Sequence, residues 1–121
     1  MSTTTLPTSS RTTTRRTGDK AWAADYIKAR RRFTAASMTG DDTPWHDTGR
    51  MPHEWAARFN TEMRKARDSS SLVYVVLSYG TPIAWEANGV RYVPSVRYSN
   101  TTSRHQTAAR IGFGDYVEAL S

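Results

Sequence analysis

The stretch YSNTTSRHQTAAR, residues 98–110, sets a run of small hydroxyl residues directly before an arginine and a histidine. Such a run can start a helix, form a catalytic cluster or hold phosphate. Ser103 followed three residues later by Gln106 fits a capping box, in which the serine oxygen accepts from a first-turn amide and the glutamine reaches back. Arg104 and His105 would then be the first two helical residues, where the positive end of the helix dipole disfavours each cation by roughly 0.3–1 kcal/mol. A bound anion reverses the sign of that effect. Free amides, the hydroxyls of Thr101, Thr102 and Ser103, and the forked donors of Arg104 together describe an anion pocket, with Gln106 and Arg110 further along the same helix.

His105 also invites a reading as a general base, since Tyr98, Ser99 and Thr102 stand near it in sequence and an imidazole titrates near neutral pH. No acid lies within the stretch to orient the ring, and His46 and His53 belong to a distant turn region, so neither a triad nor a two-histidine nuclease assembles from the sequence. No residue is assigned a catalytic role. No H-x3-H, CxxC or clustered carboxylate spacing points to a metal, and no cofactor motif is present. A second basic cluster, Lys28, Arg30, Arg31 and Arg32, reads either as a solvated helix face or as a site that neutralises phosphates by counterion release. Tyr74, Trp85 and Tyr92, if on one sheet face, would form core or a surface for stacking unpaired bases.

The whole chain favours a polyanionic partner. Lys and Arg number 17 against 11 acidic residues, a formal net charge of +6, and the isoelectric point is near 10.1. The balance is uneven: residues 1–18 carry arginines and no acid, whereas 69–121 are close to neutral, so any basic surface there must come from placement. With no cysteine, disulfides and thiolate zinc sites are excluded, and packing must hold the domain. No stretch approaches the roughly 20 apolar residues that cross a bilayer. The amino-terminal residues lack the apolar run of a secretory signal, which makes a cytoplasmic setting the expectation.

These residues need elements to position them. Residues 1–18, rich in Thr, Ser and Arg, are expected to form a disordered basic tail. Trp22, Tyr26, Ala29 and Phe33 recur at helical spacing and predict a first helix from Asp19 to Ser37 or Met38, followed by a turn-rich linker to residue 50. Pro52 opens a second helix with Trp55, Phe59, Met63 and Ala66 on one stripe. LVYVVLSY, PIAWEA and VRYVP predict three strands. Gly80-Thr81 is expected to join the first two, and Asn88-Gly89 the last two as a hairpin that sets Glu86 opposite Arg91. A third helix follows, and GDYVEALS could add one helical turn. The predicted fold is therefore α+β: a three-stranded antiparallel meander packed with helices in the order α-α-β-β-β-α, with residues 51–121 as the compact domain. Both sheet faces are largely apolar, so periodicity does not say which one the helices cover.

Two segments, Ser78 to Ala84 (SYGTPIA) and Tyr98 to Gln106 (YSNTTSRHQ), resemble a block found in small uncharacterised proteins of tailed phages and some bacteria. The resemblance implies a phage or prophage origin and a β-rich unit, and assigns no residue a chemical role. Taken together, the sequence reads as a small phage-type nucleic-acid-binding protein that grips backbone phosphate at the start of its last helix. An alternative is a module that binds and modulates a host protein, with Trp22 and Trp45 as anchors. A third reading is a ribonuclease using His105.

Overall fold

Trp22, Tyr26 and Phe33 do come together, but not on one helix. In the computed structural model, which describes residues 14–15, 20–35 and 37–120, a two-residue strand β1 (Thr14–Arg15) precedes helix α1 (Lys20–Lys28), and Phe33 opens strand β2 (Phe33–Ala35). The helix stops because Arg30 takes the left-handed conformation, φ 57°. The amide of Arg31 then bonds the Tyr26 carbonyl and that of Arg30 bonds the Ile27 carbonyl, the hydrogen-bond pattern in which a helix usually ends on glycine. Arg30 holds this conformation with its own side chain. Nη1 donates to the carbonyls of Ile27 and Lys28, at 2.8 and 3.1 Å, while Nε donates to Glu86 Oε1 at 2.6 Å. The chain turns back, and Phe33 meets Trp22 and Tyr26 edge to face, with ring centroids 5.5 and 5.9 Å away.

The expected linker contains a further strand. β2 pairs antiparallel with β3 (Met38–Asp41), and β3 pairs antiparallel with β4 (Val73–Ser78) after helix α2 (His53–Ser69) has crossed between them. β5 (Thr81–Ala87) and β6 (Val90–Tyr92) complete five antiparallel strands, and β1 adds a short parallel edge beside β2. After β1 the order is α-β-β-α-β-β-β-α, ending in α3 (Asn100–Phe113). This corrects the expectation of a three-stranded meander in the order α-α-β-β-β-α. Two antiparallel strands are not expected from the sequence: β2 lies within the stretch expected as the first helix, and β3, MTGD, is short and polar, with Gly40 required because a Cβ there would collide with the Phe33 ring and the Tyr74 hydroxyl.

Helices cover both faces of the sheet. α2 lays Trp55, Phe59, Met63 and Ala66, the expected stripe, on Val73, Val75, Leu77, Trp85 and Tyr92. α1 and α3 cover the opposite face, over Tyr74, Val76, Ile83, Ala84 and Val93. Tyr74 therefore does not share a face with Trp85 and Tyr92. The reason is the one-residue register shift after Val76; the β4–β5 turn is Tyr79-Gly80 rather than Gly80-Thr81, which moves the pairing by two residues and by itself leaves the faces unchanged. All three rings are buried in the two cores, and none forms an exposed stacking surface. The Asn88-Gly89 hairpin has the expected register, with Glu86 opposite Arg91 and both turn residues at positive φ. Asn88 Nδ2 also donates to Glu62 Oε1 at 2.7 Å, pinning the hairpin to α2.

α1 and α3 approach closely at Gly112, where a Cβ would stand 2.7 Å from Ile27 Cβ. After α3 the chain does not add a helical turn. Val117 instead runs beside β6, donating to the Arg91 carbonyl and accepting from the Val93 amide. Residues 1–13 and 16–19, the greater part of the expected basic tail, lie outside the described residues. Among those described, no helix is long and apolar enough to cross a membrane.

Candidate functional site

The hydroxyl-rich stretch starts α3 one turn earlier than the Ser103 cap requires. Ser99, extended at φ −155°, is the capping residue, and its Oγ accepts from the Thr102 amide at 3.1 Å. Ser103 lies within the helix, its amide bonding the Ser99 carbonyl and its own carbonyl accepting from the Thr107 hydroxyl. Gln106 does not reach back to a cap. It is buried and donates to the Pro94 carbonyl at 3.1 Å. Arg104 and His105 therefore sit in the second turn, past the first-turn amides whose dipole disfavours cations.

Thr102 and His105 turn inward, onto the end of β4. Ser78 Oγ lies 2.9 Å from Thr102 Oγ1 and 2.7 Å from His105 Nδ1, and Ser99 Oγ donates to Thr102 Oγ1 at 3.1 Å. A chain directed from Ser99 through Thr102 and Ser78 ends with the imidazole accepting at Nδ1, which leaves its proton on Nε2. Burial pushes the His105 pKa below its ordinary value, in agreement with a neutral ring. The buried hydroxyls are thus all partnered, and they fasten α3 to the sheet. The two segments that carry the sequence resemblance meet here: Ser78 belongs to one, Thr102 and His105 to the other. No carboxylate takes part in the His105 network as described, so the ring has hydroxyl partners and no acid to orient it as a base.

Two concave surfaces flank this junction. On one side Tyr79, Thr81, Ile83, Tyr98 and Thr101 line a cleft of about 360 Å³ with Arg50. The Arg50 amide donates to Thr81 Oγ1 at 3.0 Å, so the loop that carries Arg50 is tied to β5. Burial raises the Tyr98 hydroxyl pKa, which keeps it a neutral donor. On the other side a groove of about 260 Å³ runs between the 95–97 segment and α3, lined by Ser95, Arg97, Ser103, Thr107 and Arg110. Neither surface has an acidic residue in its lining.

The basic residues of the two clusters have different fates. Arg30 is bound to Glu86 and lies 4.9 Å from the centroid of the Phe113 ring. Arg32 Nε is 3.3 Å from Asp41 Oδ1, and the Arg31 carbonyl accepts from the Tyr74 hydroxyl at 2.6 Å. Lys28 is exposed at the end of α1, so this cluster forms a helix terminus and a turn rather than a helix face. In the carboxyl-terminal region Arg91 is held by Glu86 and by the Asp115 carbonyl. Arg104 is exposed, Arg97 donates only to Asn100 Oδ1, and Arg110 lines the groove, with no ion pair to any of the three among the described residues. Arg97 and Ser95 were not picked out by motif. A signal for them is present all the same: between Glu86 and Asp115 the sequence contains arginines at 91, 97, 104 and 110 and no acid.

Trp22 is half-buried against the α1 core cluster. Trp45 is 71% exposed, with the Arg67 guanidinium 4.5 Å from its ring centroid.

Fold and site together define a small α+β domain, its sheet covered by helices on both faces, in which a hydroxyl–imidazole junction locks the last helix to the central strands. A model described as "Family of unknown function (DUF8033)" matches residues 25–115, both motif segments included, and the chain belongs to that family. No curated protein and no solved structure matches the chain.

Proposed function

We propose that this protein binds nucleic acid, holding backbone phosphate along the outer face of α3 with Arg97, Arg104 and Arg110. The observation that carries this reading is the acid-free groove between the 95–97 segment and α3, where arginines flank the hydroxyls of Ser95, Ser103 and Thr107. Guanidinium forks with hydroxyl donors between them suit phosphate oxygens, and with no ion pair to them among the described residues their charge is available to a polyanion. Thr101 stands at the amino-terminal end of the same helix. Thr102, His105 and Gln106 serve by fixing the helix rather than by touching phosphate, and Lys28 and Arg31 add positive charge at a distance. The phage setting implied by the sequence resemblance is compatible with such a role.

The test is fluorescence anisotropy of labelled DNA and RNA, duplex and single-stranded, over a salt series with wild type and Arg104→Ala. Affinity should fall as salt rises, and Arg104→Ala should weaken binding to every sequence alike. An absent or salt-insensitive interaction in the wild type contradicts the reading.

The exposure of Trp45 favours a second reading, a protein-interaction module acting on a host protein. Capture of a host protein by the wild type and not by Trp45→Ala, with no nucleic acid bound, would put that reading first.

A further inference from the structure

We infer that the cleft between the β4–β5 turn and the start of α3 receives an unpaired nucleobase, so that the protein takes single strands in preference to duplex. This rests on the phosphate-binding reading of α3 and adds the form of the nucleic acid to it. Tyr79 is the first observation. It occupies a two-residue turn at φ 51°, where asparagine or glycine would sit without strain, and its ring is 66% exposed. A bulky side chain in the left-handed region is costly, and such strain clusters at functional sites.

The surroundings give the ring a use. The Tyr79 ring lies 6.3 Å from that of His105, which the Ser78 bond holds in place, so the tyrosine is backed by a fixed group. Tyr98 and Ile83 give the cleft an apolar lining, Arg50 adds a cation with a planar face, and Thr101 offers a hydroxyl. At about 360 Å³ the cleft falls in the size range of small-ligand sites. Aromatic faces beside a basic track are what single-strand binding requires: bases stack whatever their identity, while the arginines follow the backbone. The track is adjacent, because Tyr98 and Ser99 in the cleft follow directly on Arg97 in the groove. A base within a duplex cannot enter such a cleft without leaving its stack.

The experiment uses the full chain with a labelled oligo-dT, a blunt duplex of equal length and thymidine monophosphate. Tyr79→Asn is the informative variant, because asparagine suits the left-handed turn and removes the ring without threatening the fold. The expected result is tighter binding of the single strand than of the duplex, weakened roughly 5- to 100-fold by Tyr79→Asn, the effect of losing one stacked base. Tyr79→Phe should keep most of the affinity, and the duplex should be indifferent to either change. Equal binding of single strand and duplex, unaffected by Tyr79→Asn, overturns the cleft assignment and leaves the α3 reading standing. Failure to bind either nucleic acid overturns the α3 reading and this inference with it. Monophosphate binding as tight as the oligonucleotide's also overturns the single-strand assignment.

Discussion

Two arginine-bearing segments of this molecule look alike in sequence and differ in what surrounds them. Around Arg30 and Arg32 stand Glu86, Asp41 and Asp42, and the charges are consumed in holding the fold: Arg30 ends α1 and binds the sheet, and Arg32 ties the start of β2 to the end of β3. Arg97, Arg104 and Arg110 make no ion pair among the described residues, and the groove that Arg97 and Arg110 line has no acid in its lining. The denser cluster, Lys28 to Arg32, is the poorer candidate for a polyanion, and the sparse one is the better. Charge density along a chain measures neither, because an ion pair removes a cation from service without changing the count.

The largest expected effect breaks the comparison on its structural side. Arg30→Ala removes two carbonyl bonds, a part-buried ion pair and a ring contact, and puts alanine at positive φ; the loss should be about 2–3 kcal/mol by urea unfolding, since hydrogen bonds to charged groups each contribute about 1.5–3 kcal/mol before relaxation. Arg30→Gly should recover about 1 kcal/mol of this, because glycine takes the left-handed conformation freely. If the segments differ as described, neither change shifts nucleic-acid affinity measured under folded conditions.

Glu86→Gln is the next test. Hydrogen bonding to Arg30 holds the Glu86 carboxyl below its ordinary pKa, with the Arg91 bond acting in the same direction. Its stabilising contribution is therefore present above the unfolded-state pKa, near 4.5, and is lost as pH falls through the lower folded value. The variant should be less stable at pH 7 by about 1–2 kcal/mol, and the gap from wild type should close in urea titrations toward acid pH.

A smaller effect concerns His105. Its pKa is lowered by burial, so the folded state prefers the neutral ring: stability is full above the unfolded value of 6.5 and declines as pH falls from there toward the folded value. Urea midpoints at pH 7.5 and 5.5 should separate more in wild type than in His105→Gln. An equal separation would show that folding does not lower the imidazole pKa, contradicting its burial at the Ser78 junction. The smallest effect is expected at exposed Lys28, where Lys28→Ala should leave stability within about 0.5 kcal/mol.

What was legible in the sequence was local. The Asn88-Gly89 turn and the Trp55–Phe59–Met63–Ala66 stripe each specify their structure within a few residues: the hairpin has the expected register and the stripe lies on one helix, although which sheet face it covers is not written in its spacing. The end of the first helix is not legible locally because it is signalled by an arginine in a glycine's place, held there by Glu86 from 56 residues away. Ser103 and Gln106 match a capping box as well as any pair in the chain. What decides between Ser99 and Ser103 is tertiary: starting at Asn100 carries Thr102 and His105 to Ser78, and Gln106 to Pro94. In the sequence, phosphate binding rests on cations placed at a helix start. That premise does not hold, and Arg97, which joins Arg104 and Arg110 in the reading, is marked by missing acids rather than by a motif.

The most direct measurement is the salt dependence of single-strand affinity in two double variants, Arg97→Ala/Arg110→Ala and Lys28→Ala/Arg31→Ala. Each phosphate contact contributes about 0.7 to the slope of log affinity against log salt. The first variant should bind more weakly with a slope shallower by about 1.4, while the second should keep a slope within experimental error of wild type. An unchanged slope in the first, or an equal loss in both, would contradict the claim that the acid-free face of α3 is where this protein meets phosphate.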